Sequence, residues 1–194
     1  ALTALKEFEP TKVSVTSLQA ISGAGKTFET WPEMIDNVIP YIGGEEEKSQ
    51  KEPSKIWGAE QDGQIIAQPT PIIEATCIRV PVSNGHLASV SVSFARSLSK
   101  HAFLDALGNF APAIYEHNLP SQPQQLIQYF DEEDRPQTRL DRDFEHGMGV
   151  SIGRLRPGAF FDWDFIALSH NTLRGAAGGA VLTAELLVAE GYVL

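Results

Sequence analysis

The residues from Ala88 to Phe94 (A-S-V-S-V-S-F) form the most constraining pattern in this sequence, because apolar and small polar side chains alternate without a break. Successive side chains of a β-strand point to opposite faces of a sheet, so this pattern predicts a strand with one buried and one polar face. Such a strand requires neighbouring strands and a layer packed on its apolar side. The chain is therefore expected to fold around a sheet.

A second strand is predicted immediately before it, and a cation ends that strand. An apolar run stops at Arg79, Pro81 disfavours a helix beyond it, and Asn84-Gly85 favours a tight turn. His86 follows the turn. We expect the permanently charged arginine and the titratable histidine to flank this turn, which suits an anionic substrate beside a proton-transfer group. Each residue alone is more often an ordinary surface residue.

A third strand, Lys12–Leu18, leads into Gln19 and a loop with the sequence A-I-S-G-A-G. Glycine allows a flat or charged ligand to lie close to the backbone, so Ser22–Gly25 is a candidate ligand-binding loop. A simple connection between a strand and a helix would explain the same residues.

An acidic run, Glu45–Glu47, follows two glycines and precedes Lys48. Acidic residues match the positive end of a helix, which is sufficient to explain them. A spacing of three also places Glu45 and Lys48 on one helix face, where they can meet the two ends of a zwitterionic substrate. Pro53 predicts that this helix kinks or ends early.

The remaining elements follow from helical and alternating spacings. The predicted helices are Ala1–Phe8, Ser99–Phe110 and a last helix with Asn171 as its N-cap and Gly191 as its C-terminal stop. The predicted strands are Gln125–Tyr129, Met148–Leu155 and Ala159–Leu168. Together they predict a single α+β domain over residues 1–194, with a mixed, largely antiparallel sheet and helices on one face.

Three other features lead to weaker interpretations. Gln61–Pro71 is polar and contains prolines, which predicts a loop, and Asp131–Asp143 carries charges of both signs, which predicts a solvated surface segment. The aromatic residues Phe161, Trp163 and Phe165 share one face of the last strand. An aromatic face is usually core, but it can also meet a second subunit, and we expect these strands to dimerise.

Composition argues against several classes of protein. A chain of 194 residues with 42% hydrophobic and 21% charged residues fits one globular domain, and no apolar stretch is long enough to span a bilayer. The net charge of −10 disfavours nucleic acid as a partner. The single cysteine, Cys77, lies in an apolar strand, which indicates an inert core thiol in a reducing, cytoplasmic setting, and a nucleophilic Cys77 is the rival interpretation. His117 and His146 have no partners at metal-ligand spacing, so we expect no metal.

Four stretches in order resemble the aspartate-semialdehyde dehydrogenase family, specifically its archaeal and fungal branch. They are Q-A-I-S-G-A-G (19–25), N-V-I-P-Y-I-G-G-E-E-E-K (37–48), E-A-T-C-I-R-V-P-V-S-N-G-H-L-A-S-V-S-V-S-F (74–94) and N-T-L-R-G-A-A-G-G-A-V-L-T-A-E-L-L (171–187). The resemblance covers nearly the whole chain and is weakest over residues 100–146. It implies the C-terminal catalytic and dimerisation domain, similar in fold to that of glyceraldehyde-3-phosphate dehydrogenase.

The resemblance also implies a reaction. The family interconverts L-aspartyl 4-phosphate and L-aspartate 4-semialdehyde with NADP and phosphate, in the biosynthesis of lysine, threonine, methionine and isoleucine. Its nucleophilic cysteine and nucleotide-binding domain would lie upstream of Ala1, so this chain is expected to be inactive alone. Residues 1–8 and 171–194 would pack on that domain, and a homodimer or tetramer would form.

Residue roles follow from the same resemblance. His86 would be the acid/base catalyst and Gln19 would orient the thioester, while Arg79, Glu45 and Lys48 would bind the substrate. The cofactor-binding positions would be Ser22, Gly23, Ala24, Gly25, Asn171 and Gly175.

Three alternatives stay open. An N-acetyl-glutamyl-phosphate reductase shares the chemistry, but its substrate has no ammonium group for Glu45 to hold. A malonyl-coenzyme A reductase is related to the archaeal branch, and the sequence separates it poorly from the aspartyl enzyme. Apart from these alternative functions, the sequence does not decide between NAD and NADP, because the residues that determine this choice would lie in the nucleotide-binding domain. A non-catalytic oligomerisation domain would leave the candidate residues scattered, with Arg79 and His86 on opposite faces of the sheet.

Overall fold

The fold is centred on a mixed six-stranded sheet, described here in a computed structural model that covers residues 1–193. The strands are β1 (Pro10–Gln19), β2 (Ala59–Gln61), β3 (Gln64–Ile66), β4 (Ile72–Arg79), β5 (His86–Phe94), β6 (Ile127–Phe130), β7 (Val150–Pro157) and β8 (Trp163–Ser169). The order in the main sheet is β4-β1-β5-β8-β7-β6, and β2 and β3 form a separate hairpin. The pairs β1/β4 and β6/β7 are parallel, and the other pairs are antiparallel.

Helices and short turns connect these strands. They are α1 (Glu45–Ile56), α2 (Lys100–Gly108), α3 (Thr138–Asp141), α4 (Gly178–Ala189), a π-helix (Leu173–Ala177) and 3-10 helices at Leu2–Phe8, Ile21–Ala24, Pro32–Met34, Ala113–His117 and Phe144–Gly147. The architecture confirms the predicted α+β class with a mixed, mainly antiparallel sheet. Among residues 1–193, no helix has the length and apolar character that crossing a bilayer requires.

The alternation in β5 determines which face of the sheet is buried. Val90 and Val92 are buried, while Ser89 on the opposite face is exposed. Phe103 of α2 and Leu5 of the first 3-10 helix are fully buried in the same cluster as these valines. Two helical segments therefore cover the apolar face, as the alternating pattern requires.

The aromatic face of β8 also belongs to this core. Phe165 is 1% exposed, and the ring centroids of Phe165 and Trp163 lie 5.6 and 5.9 Å from that of Phe103. The indole N–H of Trp163 donates to the Leu98 carbonyl at 3.0 Å. Of the two interpretations of Trp163 and Phe165, core or contact with a second subunit, the structure supports the core, because α2 already covers this face. The expected dimerisation of these strands stays a prediction and would have to use another surface. The strand is also shorter than predicted, and Phe160, in the turn before it, is 98% exposed.

The connection between Arg79 and His86 differs from a simple turn between paired strands. β4 and β5 are not neighbours, because β1 lies between them, parallel to β4 and antiparallel to β5. Residues 80–85 therefore pass over the end of β1. This crossing brings the ends of three strands to one edge of the sheet.

Helix α1 does not end at Pro53, so of the two predicted outcomes, a kink or an early end, the early end is wrong. It continues to Ile56, and the Trp57 N–H donates to the Pro53 carbonyl at 2.9 Å. Proline removes one backbone donor, but the next turn still forms its own hydrogen bonds. The predicted loop 61–71 likewise contains part of a hairpin, whose turn residues Asp62 and Gly63 both have positive φ.

The charged segment 131–143 is anchored and not simply solvated. Asp141 is 4% exposed and forms a two-pronged ion pair with Arg135, whose Nε donates to Asp141 Oδ2 at 2.7 Å. The Gln137 N–H donates to the same carboxylate oxygen at 2.6 Å. Residues 131–134 are exposed as predicted, and the prediction missed only the buried anchor, because charges without an apolar period can still pair with each other beneath the surface.

The two terminal segments contain the predicted helices with different details. In the first segment, Ala4 and Leu5 are buried in the core of this domain. In the last, the π-helix precedes α4, and the Asn171 side chain does not cap a helix but bonds to two loops. Leu194, the end of the predicted terminal segment, lies outside the described residues.

Candidate active site at one edge of the sheet

Three polar side chains converge where β1, β4 and β5 meet. Gln19 pairs in register with Arg79, and Ser17 pairs with both Cys77 and Ala88. Side chains two residues apart on a strand face the same side of a sheet. Gln19, Arg79 and His86 are each two residues from this row, towards the same edge, and therefore face one side of the sheet. That side is also the one on which the core is built.

Arg79 is held as a nearly buried cation. It is 6% exposed, and its Nη1 donates to the Ala20 carbonyl at 2.7 Å. Its backbone N–H and C=O pair with Ile39, which closes the edge of β4 at this point. Burial lowers the pKa of Arg79, but a guanidinium remains charged in proteins at neutral pH. The site therefore has a fixed positive charge.

His86 is held as a neutral imidazole. The Ala20 N–H donates to His86 Nδ1 at 3.2 Å, so the neutral ring carries its proton on Nε2. Burial and the nearby positive charge of Arg79 lower the pKa of His86 to about 4. The ring can consequently donate a hydrogen bond from Nε2 at neutral pH.

Gly23 lies directly against both of these side chains. A Cβ atom at position 23 would be 2.8 Å from Arg79 Nη1 and 3.1 Å from His86 Nε2. Any side chain at this position would displace one of the two groups. The glycine of this loop is thus required by space and not by a left-handed backbone.

Glu45 reaches the same region from α1. Its Oε2 accepts from Gln19 Nε2 at 3.4 Å, and its Oε1 accepts from Lys48 Nζ at 2.9 Å. The hydrogen bond from Lys48 is the main cause of a lowered pKa for Glu45, so this carboxylate is charged. Lys48 is at the rim, with its side chain 61% exposed. Glu46 points elsewhere, because its Oε1 accepts from the Cys77 N–H at 3.0 Å.

Cys77 is an inert core thiol in this arrangement. It is fully buried, burial raises the pKa of its thiol, and its Sγ lies 3.8 Å from Ser49 Oγ. A reactive cysteine instead needs a lowered pKa and access to its target. Among residues 1–193, no cluster of three or more His, Cys, Asp or Glu side chains could hold a metal ion.

Most of the predicted cofactor positions line one open cleft of about 460 Å³ beside His86. The lining residues are Ser22, Gly23, His86, Ser169, Asn171, Thr172, Gly175 and Ala176. Ala24 and Gly25 are not among them, since the 3-10 turn directs the chain away, with Gly25 at φ 67°. Of the predicted catalytic and substrate-binding residues only His86 lines the cleft, and Gln19, Arg79, Glu45 and Lys48 lie outside its lining. Sequence reasoning missed Ala20, which contacts both Arg79 and His86 through its backbone and so leaves no side-chain signal.

Fold and site together define an α+β domain of the kind found in aldehyde oxidoreductases, with an arginine and a histidine at one sheet edge. A family model described as "Semialdehyde dehydrogenase, dimerisation domain" matches residues 2–174. The chain belongs to this family, as its sequence motifs predicted.

Individual relatives agree with this assignment. Aspartate-semialdehyde dehydrogenase from Aspergillus fumigatus is 43% identical over 94% of this chain and 52% of its own length. The Archaeoglobus fulgidus enzyme of the same name is 41% identical over 93% of this chain and 51% of its own length. The crystal structure of aspartate-semialdehyde dehydrogenase with NADP from Candida albicans superposes with a TM-score of 0.89, at 36% identity, over 99% of this chain and 55% of that one. This chain thus spans about half the length of the curated relatives that it matches.

Proposed function

We propose that this chain is the substrate-binding and dimerisation half of an NADP-dependent aspartate-semialdehyde dehydrogenase, which interconverts L-aspartyl 4-phosphate and L-aspartate 4-semialdehyde. The observation that carries the proposal is the convergence of Arg79 and His86 on Gly23. A non-catalytic domain has no physical reason to bury a cation beside a neutral imidazole at the mouth of a cleft, because both groups lose hydration there. In this proposal residues 1–194 form a single catalytic and dimerisation domain.

The substrate is an amino acid derivative with a carboxylate and an ammonium group. Arg79 binds the carboxylate, because a guanidinium can offer two parallel hydrogen bonds to it. Glu45 binds the ammonium group, since its charged carboxylate faces the site through Gln19. Lys48 supplies a cation at the rim for phosphate, and it releases part of its contact with Glu45 when phosphate binds.

His86 acts on the carbonyl oxygen in this proposal. In the direction of aldehyde formation, that oxygen gains negative charge, and the neutral imidazole donates a hydrogen bond to it from Nε2–H. In the opposite direction the same hydrogen bond stabilises the oxyanion of the intermediate. Gln19 donates from its amide to the same oxygen and orients the acyl group, and release from Glu45 frees the Gln19 N–H for this purpose.

The open cleft beside His86 fits a flat nicotinamide ring. A Cβ at Gly175 would meet only the His170 carbonyl, at 4.0 Å, so this wall of the cleft is open to a planar group. Ser22, Gly23, Asn171 and Gly175 are the residues proposed to hold it. NADP supplies hydride acceptance and donation when bound.

The attacking thiolate comes from the other half of the enzyme in this proposal. Cys77 is excluded from that role by its burial and raised pKa. The nucleotide-binding half would cover the first 3-10 helix and the exposed apolar side chains of the last segment. These are Val181, Leu187 and Val188 of α4 and Tyr192, three residues beyond its end. The family description supports an oligomer, and we propose that the sheet face carrying Ser89 meets the second subunit. The reducing cytosol is the proposed setting.

The test is a complementation assay. The purified chain is mixed with the nucleotide-binding half of an aspartate-semialdehyde dehydrogenase, and phosphate-dependent reduction of NADP by aspartate semialdehyde is measured. Activity is expected only on mixing, to survive Cys77→Ser, and to fall by about two to four orders of magnitude with His86→Ala. Activity of the chain alone would contradict the proposal.

The same assay separates the alternative substrates. Stable association with activity toward N-acetyl-glutamyl phosphate or malonyl-coenzyme A, and none toward the aspartyl substrate, would move the assignment to one of those reductases. Glu45→Gln is the informative variant, because it removes the charge for an ammonium group and keeps the shape. This variant should weaken binding of the aspartyl substrate and affect binding of phosphate less.

A further inference from the structure

Asn171 joins two loops of the site through both atoms of its side-chain amide. Its Oδ1 accepts from the Gly85 N–H at 2.9 Å, and its Nδ2 donates to Ser22 Oγ at 2.9 Å. The residue follows β8 in the chain, yet its two partners lie on the loop before β5 and on the 3-10 turn after β1. Both polar atoms of the amide are therefore engaged within the domain.

The two loops are already in contact through their backbones. The Ile21 N–H donates to the Val82 carbonyl at 2.9 Å, and the Ser22 N–H donates to the Ser83 carbonyl at 3.3 Å. The Gly85 peptide is held at one further point by Asn171. Because Gly85 has φ 95° and immediately precedes His86, its orientation determines where the His86 backbone leaves the loop.

Space around Gly85 makes this third contact important. A Cβ at Gly85 would lie 3.2 Å from Arg142 Cβ and 3.4 Å from Leu168 Cδ1, so the side chains of Arg142 and Leu168 pack against the Gly85 Cα. Its N–H points to Asn171 alone among the hydrogen bonds that the described residues form. Loss of that acceptor would leave a half-buried donor unpaired and would favour rotation of the peptide.

We propose that Asn171 is a positioning residue for His86, which clasps the Gly85 peptide to Ser22 and so fixes the imidazole against Ala20 and Gly23. The inference rests on the proposed function and deepens it. The role implied by family resemblance is cofactor contact, and the two roles make different predictions. A clasp acts on His86 with or without cofactor.

The amide chemistry provides matched variants. Asn171→Leu keeps the volume and removes both hydrogen bonds. Asn171→Asp keeps an acceptor for Gly85, and the Ser22 hydroxyl can reverse its role and donate to the second carboxylate oxygen. Ser22→Ala removes only the contact on the other side. Asn109→Leu makes the same exchange at an exposed position after α2 and controls for general effects of the substitution.

The first measurement uses the purified chain without cofactor. Hydrogen exchange of the Gly85 amide and the ¹⁵N shifts of the His86 ring are followed by NMR. Asn171→Leu is expected to accelerate Gly85 exchange roughly tenfold, the scale of one lost hydrogen bond, and to shift His86 from a single Nε2–H tautomer toward a mixture. Asn171→Asp should keep Gly85 protected, and Asn109→Leu should change neither signal. An unchanged His86 spectrum in Asn171→Leu overturns the proposal.

The second measurement uses the complemented enzyme. A positioning role predicts that Asn171→Leu lowers kcat roughly 10- to 100-fold, with the KM for NADP within about twofold of the wild type, and that Asn171→Asp restores most of kcat. A raised KM for NADP with kcat unchanged would instead assign the residue to the cofactor and overturn the clasp. The NMR result does not depend on activity, so a complemented enzyme without activity would contradict only the proposed function.

Discussion

Arg79 and His86 belong to strands that are not neighbours, yet both side chains approach the same point above Gly23, at 2.8 and 3.1 Å from where its Cβ would lie. The arrangement arises because β1 separates β4 from β5 and ends between them. Ala20, the first residue after β1, then bonds to both side chains. One peptide segment thus sets the distance between the fixed cation and the neutral imidazole.

Replacement of Gly23 by alanine should disrupt the site without unfolding the domain. The new methyl group would displace Arg79 or His86, because its distances to Arg79 Nη1 and His86 Nε2 would be shorter than ordinary van der Waals contact. A misplacement of about 1 Å can cost roughly 100-fold in rate, so kcat/KM of the complemented enzyme should fall by about that factor. Gly43→Ala is the matched control, since nothing lies within 4 Å of a Cβ there. Equal activity in both variants would contradict the packing argument.

Arg79→Lys should weaken substrate binding, although the substitution keeps the positive charge. Lysine cannot form two parallel hydrogen bonds to a carboxylate, and charge-assisted bonds contribute roughly 1.5–3 kcal/mol each, so a 10- to 100-fold loss in kcat/KM is expected. Steady-state kinetics with aspartate semialdehyde would measure it. Arg96→Lys, at an exposed ion pair with Glu9, is the control and should leave the rate unchanged. Similar kcat/KM values for Arg79→Lys and Arg96→Lys would contradict the proposal that Arg79 binds the substrate carboxylate.

The strands and the residue types of the site were predictable because periodic patterns and strand ends are local properties. The alternation in residues 88–94 identified the buried face correctly, and Arg79 and His86 were found as residues that end or begin strands. The insertion of β1 between their strands was not predictable, since strand order depends on long-range pairing that no local pattern encodes. The backbone contacts of Ala20 were invisible for the same reason.

The aromatic face and the charged segment show the limits of pattern reasoning about surfaces. Phe165 and Trp163 alternate equally well for a core and for an interface, and only the position of Phe103 decides between them. Asp141 resembles its exposed neighbours in the sequence and differs from them by pairing with Arg135. Burial of a polar group depends on a partner, and the partner is a tertiary fact.

Asp141→Ala should destabilise the domain at a distance from the proposed site. The carboxylate is nearly buried and accepts from Arg135 and from the Gln137 N–H, so its loss leaves both donors unpaired. The expected cost is roughly 2–4 kcal/mol in the free energy of unfolding. Urea denaturation followed by circular dichroism would measure it. Asp131→Ala, at an exposed position of the same segment, should change stability by less than about 0.5 kcal/mol.

Stability of the folded chain should fall on mild acidification because of His86. Its pKa is about 4 in the folded state and near 6.5 in the unfolded chain, so between these values the unfolded chain binds more protons. The contribution of His86 is therefore complete above about pH 6.5 and is lost as the pH falls toward 4. Partial exposure to solvent reduces its size to on the order of 1–2 kcal/mol.

The measurement is urea denaturation of the wild type and His86→Asn between pH 4 and 7. His86→Asn should flatten part of the slope of unfolding free energy against pH, because the group that titrates between the two states is gone. His170, which is buried and has a lowered pKa, should supply part of the slope that remains. If His86→Asn kept the full slope, His86 would not be held neutral by the fold, and the hydrogen-bond donor role proposed for its Nε2–H would lose its structural basis.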